Sequence, residues 1–331
     1  MSTPLKNAFL GSLIADAAAM PVHWYYDTQA LDRDYPEFSI YTAPKNPHPD
    51  SILWRSKYNP RNRKVDILHD QARFWGKRGV HYHQFLSAGG NTLNYQLAIE
   101  LYRLILDRGK YQPEEWLDTY TQLMTDPQWS QDTYVEEYHR AFFDRWSKGT
   151  PLKDCGIDDL HIGGIATVPA LLAGFFSIGY TDTDSWIRIV RGHVALTHKN
   201  SFTLDASEAL ARILIEIASG KALDHSLEAH GKAWGNPLQF QTWSKQKDRM
   251  IVGRQLTPAC YLPESFSASL YLAWKYQSDF KSGIIANALC GGDNCHRGAV
   301  VGSILGALNS LPGDWLQGLL AKDRIHKEIV V

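Results

Sequence analysis

Residues 286–307 read ANALCGGDNCHRGAVVGSILGA, and the spacing of small residues there decides how the rest of the chain is understood. Gly298, Gly302 and Gly306 recur every four positions, which places them on one face of a helix. Val300, Val301, Ile304 and Leu305 lie between them, so this helix is apolar all round and belongs inside a bundle. Just before it, Gly291 and Gly292 permit backbone geometry and close ligand approach that other residues do not, and they lead into Asp293, Asn294, Cys295 and His296. Polar groups at the mouth of an apolar helix mark a candidate site, although Asp293 or Asn294 also suits a plain helix cap.

Near the other end, Gly11, Ala15 and Ala19 repeat the stripe among Phe9, Leu10, Leu13 and Ile14. Two such helices can approach closely, so the ends of the chain are expected to meet in the core. Helical periodicity dominates between them. Leu93, Leu97, Leu101, Leu104 and Ile105 share a face after Asn91 as N-cap and before Gly109. Pro113 opens a second helix carrying Trp116, Leu117, Tyr120 and Leu123, and Ser130 opens a third with Tyr134, Tyr138 and Phe142 that ends near Gly149. The pattern continues through Trp186, Ile189, Val190 and His193, through Leu210, Ile213, Leu214 and Ile217, and from Pro263 to Trp274. No alternating strands and no βαβ rhythm interrupt it, so the fold class is all-α.

The chain has 331 residues, 44% apolar and 21% charged, which excludes disorder and collagen-like structure. Lys+Arg at 34 against Asp+Glu at 35 leave no global field to draw it to nucleic acid or an anionic membrane, and neither is an expected partner. Four cysteines, at 155, 260, 290 and 295, suit a reducing compartment, so a cytoplasmic location is expected. Asp16 interrupts the apolar N-terminal stretch and argues against a signal peptide. The uncharged stretch 162–180 contains Pro169 and four glycines and reads as a buried helix rather than a membrane span. Residues 43–64 break the pattern with four prolines and carry Lys45, Arg55, Lys57, Arg61, Arg63 and Lys64 against Asp50. This basic loop insertion is either a solvated excursion or a flap whose cations, with Trp54 or Tyr58, reach a phosphorylated ligand.

GSLIADAAAMPVH at 11–23 and GGDNCH at 291–296 resemble the opening and closing motifs of the ADP-ribosylglycohydrolase family, GxxxGDAxGxPxE and GGDTDT. LTH at 196–198 and CYLPESFSASLYLAW at 260–274 fall between them in the family's order. The resemblance covers nearly the whole chain, and the family also includes the J1-crystallins of jellyfish eyes and selenoprotein J. It implies a single domain over 1–331, an orthogonal multi-helix bundle whose cleft holds two Mg²⁺ ions and hydrolyses a glycosidic bond to ADP-ribose. Carried over by position, the first-helix Asp is Asp16, while the Glu after the Pro has become His23. The TDDT segment falls on Gly89, Gly90, Asn91 and Thr92, and in the last motif Asp293 survives while Cys295 and His296 replace an Asp and a Thr. Asp16 and Asp293 are then the only inherited acids, a poor set for two hard cations that demand oxygen ligands, so the Mg²⁺ pair is expected to be lost.

Two kinds of chemistry would suit what remains. His23, Cys295 and His296 with Asp293 match the preference of Zn²⁺ for imidazole and thiolate. Alternatively, Cys295 is a thiolate nucleophile or redox centre, its pKa lowered by the helix start, with His23 or His198 as base and Cys290 as a resolving thiol. Selenoprotein J lends weight to that chalcogen chemistry, and inert packing of Cys295 is the opposing reading. The expected catalytic set is Cys295, Asp293, His296 and His23; Asp16, Asn91, Thr92, Gly291, Gly292, Asn294 and His198 are the expected ligand-binding residues. The functional expectation is a hydrolase acting on an ADP-ribose-related or other small molecule. A non-catalytic crystallin-like protein or a thiol-dependent redox enzyme is the alternative. His81 and His83 alternate in VHYHQF, which suits a strand-like or loop segment lining the cleft that the resemblance implies, but one such pair is frequent by chance and the surface reading is preferred.

Overall fold

The computed structural model describes residues 4–38 and 40–329. Ten helices of ten residues or more carry the fold: α1 (Pro4–Ala19), α2 (Leu93–Arg108), α3 (Pro113–Thr125), α4 (Glu137–Ser147), α5 (Val168–Ser177), α6 (Thr183–Ala195), α7 (Ser201–Ala218), α8 (Glu264–Lys275), α9 (Phe280–Leu289) and α10 (Asn294–Leu308). Among the described residues there is no sheet; extended pairing is confined to two isolated bridges, Ile157 with His198 and His161 with Tyr261. The fold is all-α.

The two small-residue stripes face each other as their spacing predicts. A Cβ on Gly302 would lie 2.2 Å from the Gly11 carbonyl oxygen, and one on Gly11 would lie 2.2 Å from that of Gly302. One turn on, a Cβ on Gly306 would meet the Asn7 carbonyl oxygen at 2.3 Å. Glycine is therefore required here by backbone contact between α1 and α10. The pair forms the axis of the molecule, with α7, α8 and α9 against α10 and α5, α7 and α9 against α1.

Three element boundaries differ from the sequence reading. The helix expected from Ser130 begins at Glu137, because the preceding segment is recruited by tertiary contacts: Asp132 accepts the Leu93 N–H at 3.0 Å and pairs with His83. The N-cap of α2 is Thr92 rather than Asn91, whose side-chain amide instead donates to the Leu13 carbonyl and to Asp16. The 162–180 stretch resolves into a 3₁₀ turn, Ile162–Ile165, followed by the buried α5. No helix among the described residues is long and apolar enough to cross a membrane.

Residues 43–64 contain no α-helix. Trp54 has the Arg78 and Arg55 guanidinium groups over its ring, at 4.0 and 5.1 Å, and the Tyr58 hydroxyl donates to Asp66 while accepting the Ile67 N–H. Both rings expected to reach a ligand are thus engaged by the chain itself.

Candidate functional site

A chain of six titratable side chains runs through the interior where α1, the 81–94 segment, the 132–139 segment and the start of α10 converge. Asp132 Oδ1 lies 2.7 Å from His83 Nδ1, and His83 Nε2 lies 2.6 Å from His23 Nδ1. His23 Nε2 lies 3.1 Å from Asp293 Oδ1, which also stands 2.8 Å from His296 Nδ1. His296 Nε2 completes the chain, 3.4 Å from Glu136 Oε1. All six residues are buried. His23 reaches its place because α1 ends in a 3₁₀ turn, Met20–Val22, that bends the chain toward Asp293, the N-cap of α10.

The charges in this chain are set by neighbours against the opposing pull of burial. Burial alone would lower His296, but Asp293 and Glu136 on either side outweigh it and hold its pKa up at about 10. Burial likewise disfavours charge on Glu136 and Asp293, yet His296 and the other imidazoles keep Glu136 down at about 2 and Asp293 well below the usual carboxylate range. His83 is raised because Asp132, Asp16 and Glu136 outweigh its burial. His23 goes the other way, lowered by burial to about 4.

A proton count shows that the chain needs one more positive charge than neutral rings provide. His83 donates its Nδ1–H to Asp132, so a neutral His83 presents a lone pair at Nε2 and requires His23 to donate from Nδ1. His23 Nε2 would then aim a second lone pair at the Asp293 carboxylate, 3.1 Å away. An added proton, which makes His83 an imidazolium, or a cation between His23 and Asp293 removes the conflict.

The remaining expected site residues divide between the site and its scaffold. Asp16 is beside the chain, but its carboxylate is occupied: Oδ1 accepts from the Thr92 hydroxyl at 2.7 Å, and Oδ2 accepts from the Thr92 N–H and the Asn91 amide, each at 2.9 Å. Burial raises its pKa to about 6 against those bonds. Gly291 and Gly292 have φ of +68° and +65°, but the close approach they permit is to backbone rather than ligand: a Cβ would strike the Tyr25 or Pro258 carbonyl oxygen. Asn294 donates its amide to the Val22 and Ala288 carbonyls. His198 is buried against the Tyr138 ring, with Nδ1 on Thr197 and no partner at Nε2.

Cys295 departs most from expectation. It is fully buried in a cluster with Ala19, Met20, Val22 and Ala288, its thiol 3.7 Å from the Asp16 carbonyl oxygen. Burial, with the Asp16 and Asp293 charges adding, pushes its pKa well above that of an ordinary thiol. The lowered pKa expected at a helix start is overturned, because a helix's amides act on a group that stands off its end, whereas this side chain points back into the α1 interface. The histidine reading is corrected as well: His81 and His83 are buried, not superficial. Sequence reasoning missed Asp132, Glu136, Asn94, His139 and His161 altogether. Asn94 joins the network by accepting from Tyr138 at 2.6 Å and placing its amide 2.7 Å from His296 Nε2, and no local spacing marks it.

The family profile for ADP-ribosylglycohydrolase matches residues 5–330. The chain belongs to the ADP-ribosylglycohydrolase family. A curated relative, crystallin J1A of Tripedalia cystophora, is 23% identical over 319 residues, covering 94% of this chain and 90% of that protein. A solved structure described as an ADP-ribosylglycohydrolase-related protein complex superposes with a TM-score of 0.65 at 20% identity, over 99% of this chain and 95% of that one. Its identity is too low to carry more than the fold, which it supports over the full length. Of the six residues of the buried chain, His23, Asp293 and His296 lie in the 11–23 and 291–296 segments, and His83, Asp132 and Glu136 lie outside them.

Proposed function

We propose that this ADP-ribosylglycohydrolase-family chain is a hydrolase acting on an ADP-ribose-related small molecule at the histidine–carboxylate centre, without the family's pair of Mg²⁺ ions. The carrying observation is the occupancy of the inherited acids: the Asp16 oxygens hold Thr92 and Asn91, and Asp293 Oδ1 lies between two imidazoles. Hard cations need several free oxygen ligands, and the 89–92 segment, Gly-Gly-Asn-Thr, adds no carboxylate. Six ionisable groups buried together cost more than an apolar packing of the same volume, which favours a chemical role for them. Four free thiols accord with a cytoplasmic setting.

The burial of every member of the chain favours a second reading, a stable non-catalytic protein like the crystallin relative. Calorimetric titration with ADP-ribose, together with hydrolysis assays on small-molecule glycosides of ADP-ribose, separates the two. The hydrolase reading expects binding or turnover that added Mg²⁺ does not increase and that His296→Gln abolishes. Absence of both binding and turnover puts the crystallin-like reading in front.

A further inference from the structure

We propose that His23, His296 and Asp293 form a site for a single transition-metal dication of borderline softness, of the Zn²⁺ or Co²⁺ type. His23 Nε2, His296 Nδ1 and an Asp293 oxygen all lie within 4.8 Å of one another. The two nitrogens stand 3.1 and 2.8 Å from the same Oδ1. Two donors each about 2.1 Å from one ion and at right angles to one another are about 3.0 Å apart, so both edges suit a shared cation. The donor set, two imidazoles and one carboxylate, selects borderline metals over Mg²⁺.

Three further observations point the same way. His23 has behind it a partner of the kind that orients metal-bound histidine, His83, itself on Asp132; behind His296, Nε2 meets the Asn94 amide at 2.7 Å and Glu136 at 3.4 Å, and the cation takes the place of the proton on Nδ1. Asp293 Oδ2 is fully buried and has no hydrogen-bond partner, with His161 Nε2 3.7 Å away as its neighbour. The cation also supplies the positive charge that the proton count requires between His23 Nε2 and Asp293 Oδ1. A neighbouring set, His161, Cys260 and Asp293, is equally close but chemically unsuited. His161 Nδ1 accepts the Gly163 N–H, so its proton sits on Nε2, and burial with the Asp293 charge raises the pKa of the Cys260 thiol and keeps it from offering a thiolate.

This inference concerns metal binding alone and holds whether or not the chain is a hydrolase. The test is titration of the chelator-stripped full chain with Co²⁺, read by visible absorption, and with Zn²⁺, read by elemental analysis and thermal shift. The expected result is one equivalent bound, not displaced by excess Mg²⁺. His23→Gln and His296→Gln should each weaken it at least about 100-fold, His83→Gln about 10- to 100-fold, and Cys260→Ser not at all. A variant that misfolds by circular dichroism is replaced in the comparison by His83→Gln and by the Zn²⁺-induced rise in wild-type melting temperature. Absence of a Co²⁺ spectrum overturns the proposal in favour of a proton on His83. Binding that survives the histidine substitutions, or is lost with Cys260→Ser, overturns it in favour of a site elsewhere.

Discussion

Cys295 carries in sequence the signature of an activated thiol, and in the fold it is buried with its thiol pKa raised. Its position after Gly-Gly-Asp-Asn suggests an activated thiol, but its Sγ is sealed between α10 and α1. Alkylation of the native protein near pH 7 should therefore be slower at Cys295 than at Cys260, which is 8% exposed. Faster labelling at Cys295 would restore the thiolate reading. Cys295→Asp, which moves the motif toward the family pattern, should not rebuild a magnesium site. It should cost about 3–5 kcal/mol or more in urea unfolding, because the new carboxylate would be buried with Asp16 and Asp293 and without a cation of its own. Wild-type stability together with Mg²⁺ binding in that variant would show the opposite.

At the scale of elements, the contact between α1 and α10 rests on atoms that are absent. Gly302→Ala puts a methyl group 2.2 Å from the Gly11 carbonyl oxygen, and the helices must part to admit it. The expected loss exceeds about 3 kcal/mol, above the usual range for overpacking because backbone, unlike a side chain, cannot rotate away. Gly192 in α6 is the control, since a Cβ there meets nothing within 4 Å. Gly192→Ala should stabilise by about 0.5–1 kcal/mol through helix propensity. Denaturant melts of the two variants settle the matter, and equal effects would mean that the stripes do not set the packing. The helix faces were legible in sequence because the period of 3.6 is local. The start of α4 was not, since Asp132 and the residues around it answer to His83 and Leu93, which lie about forty to fifty positions away.

For the whole molecule, the interior histidines predict the acid stability limit. Burial lowers His48 to about 4 and His193 to about 3, and it is the leading cause of the shifts of His23 and His139 to about 4. Burial also lowers His81 and His198 well below the ordinary imidazole value. Each stays neutral in the fold and is protonated in the unfolded chain near pH 6.5, so its contribution is present above 6.5 and is lost as pH falls toward about 4. Each contributes up to about 1.4 kcal/mol per pH unit across its window. Asp16, raised to about 6, slopes the opposite way between its ordinary value and 6, one group against several. Thermal melts should therefore drop steeply between pH 6.5 and 4.5, with uptake of more than one proton on unfolding. A flat melting temperature over that range would show that these rings are solvated.

What the sequence by itself determined is what local spacing and motif order can encode: an all-α chain, two small-residue helices meeting at its centre, and the family to which it belongs. Its periodicities are read within one or two turns, and its motifs within a dozen residues. The tertiary structure alone decided which polar residues share the interior. His23, His83, Asp132, Glu136, Asp293 and His296 come from distant parts of the chain, and only their 2.6–3.4 Å contacts reveal one chain that neutral rings leave short of a positive charge. The same burial that silences the Cys295 thiol makes that missing charge matter, because with little water nearby to screen it, a lone pair facing a carboxylate must be relieved by a proton or a cation.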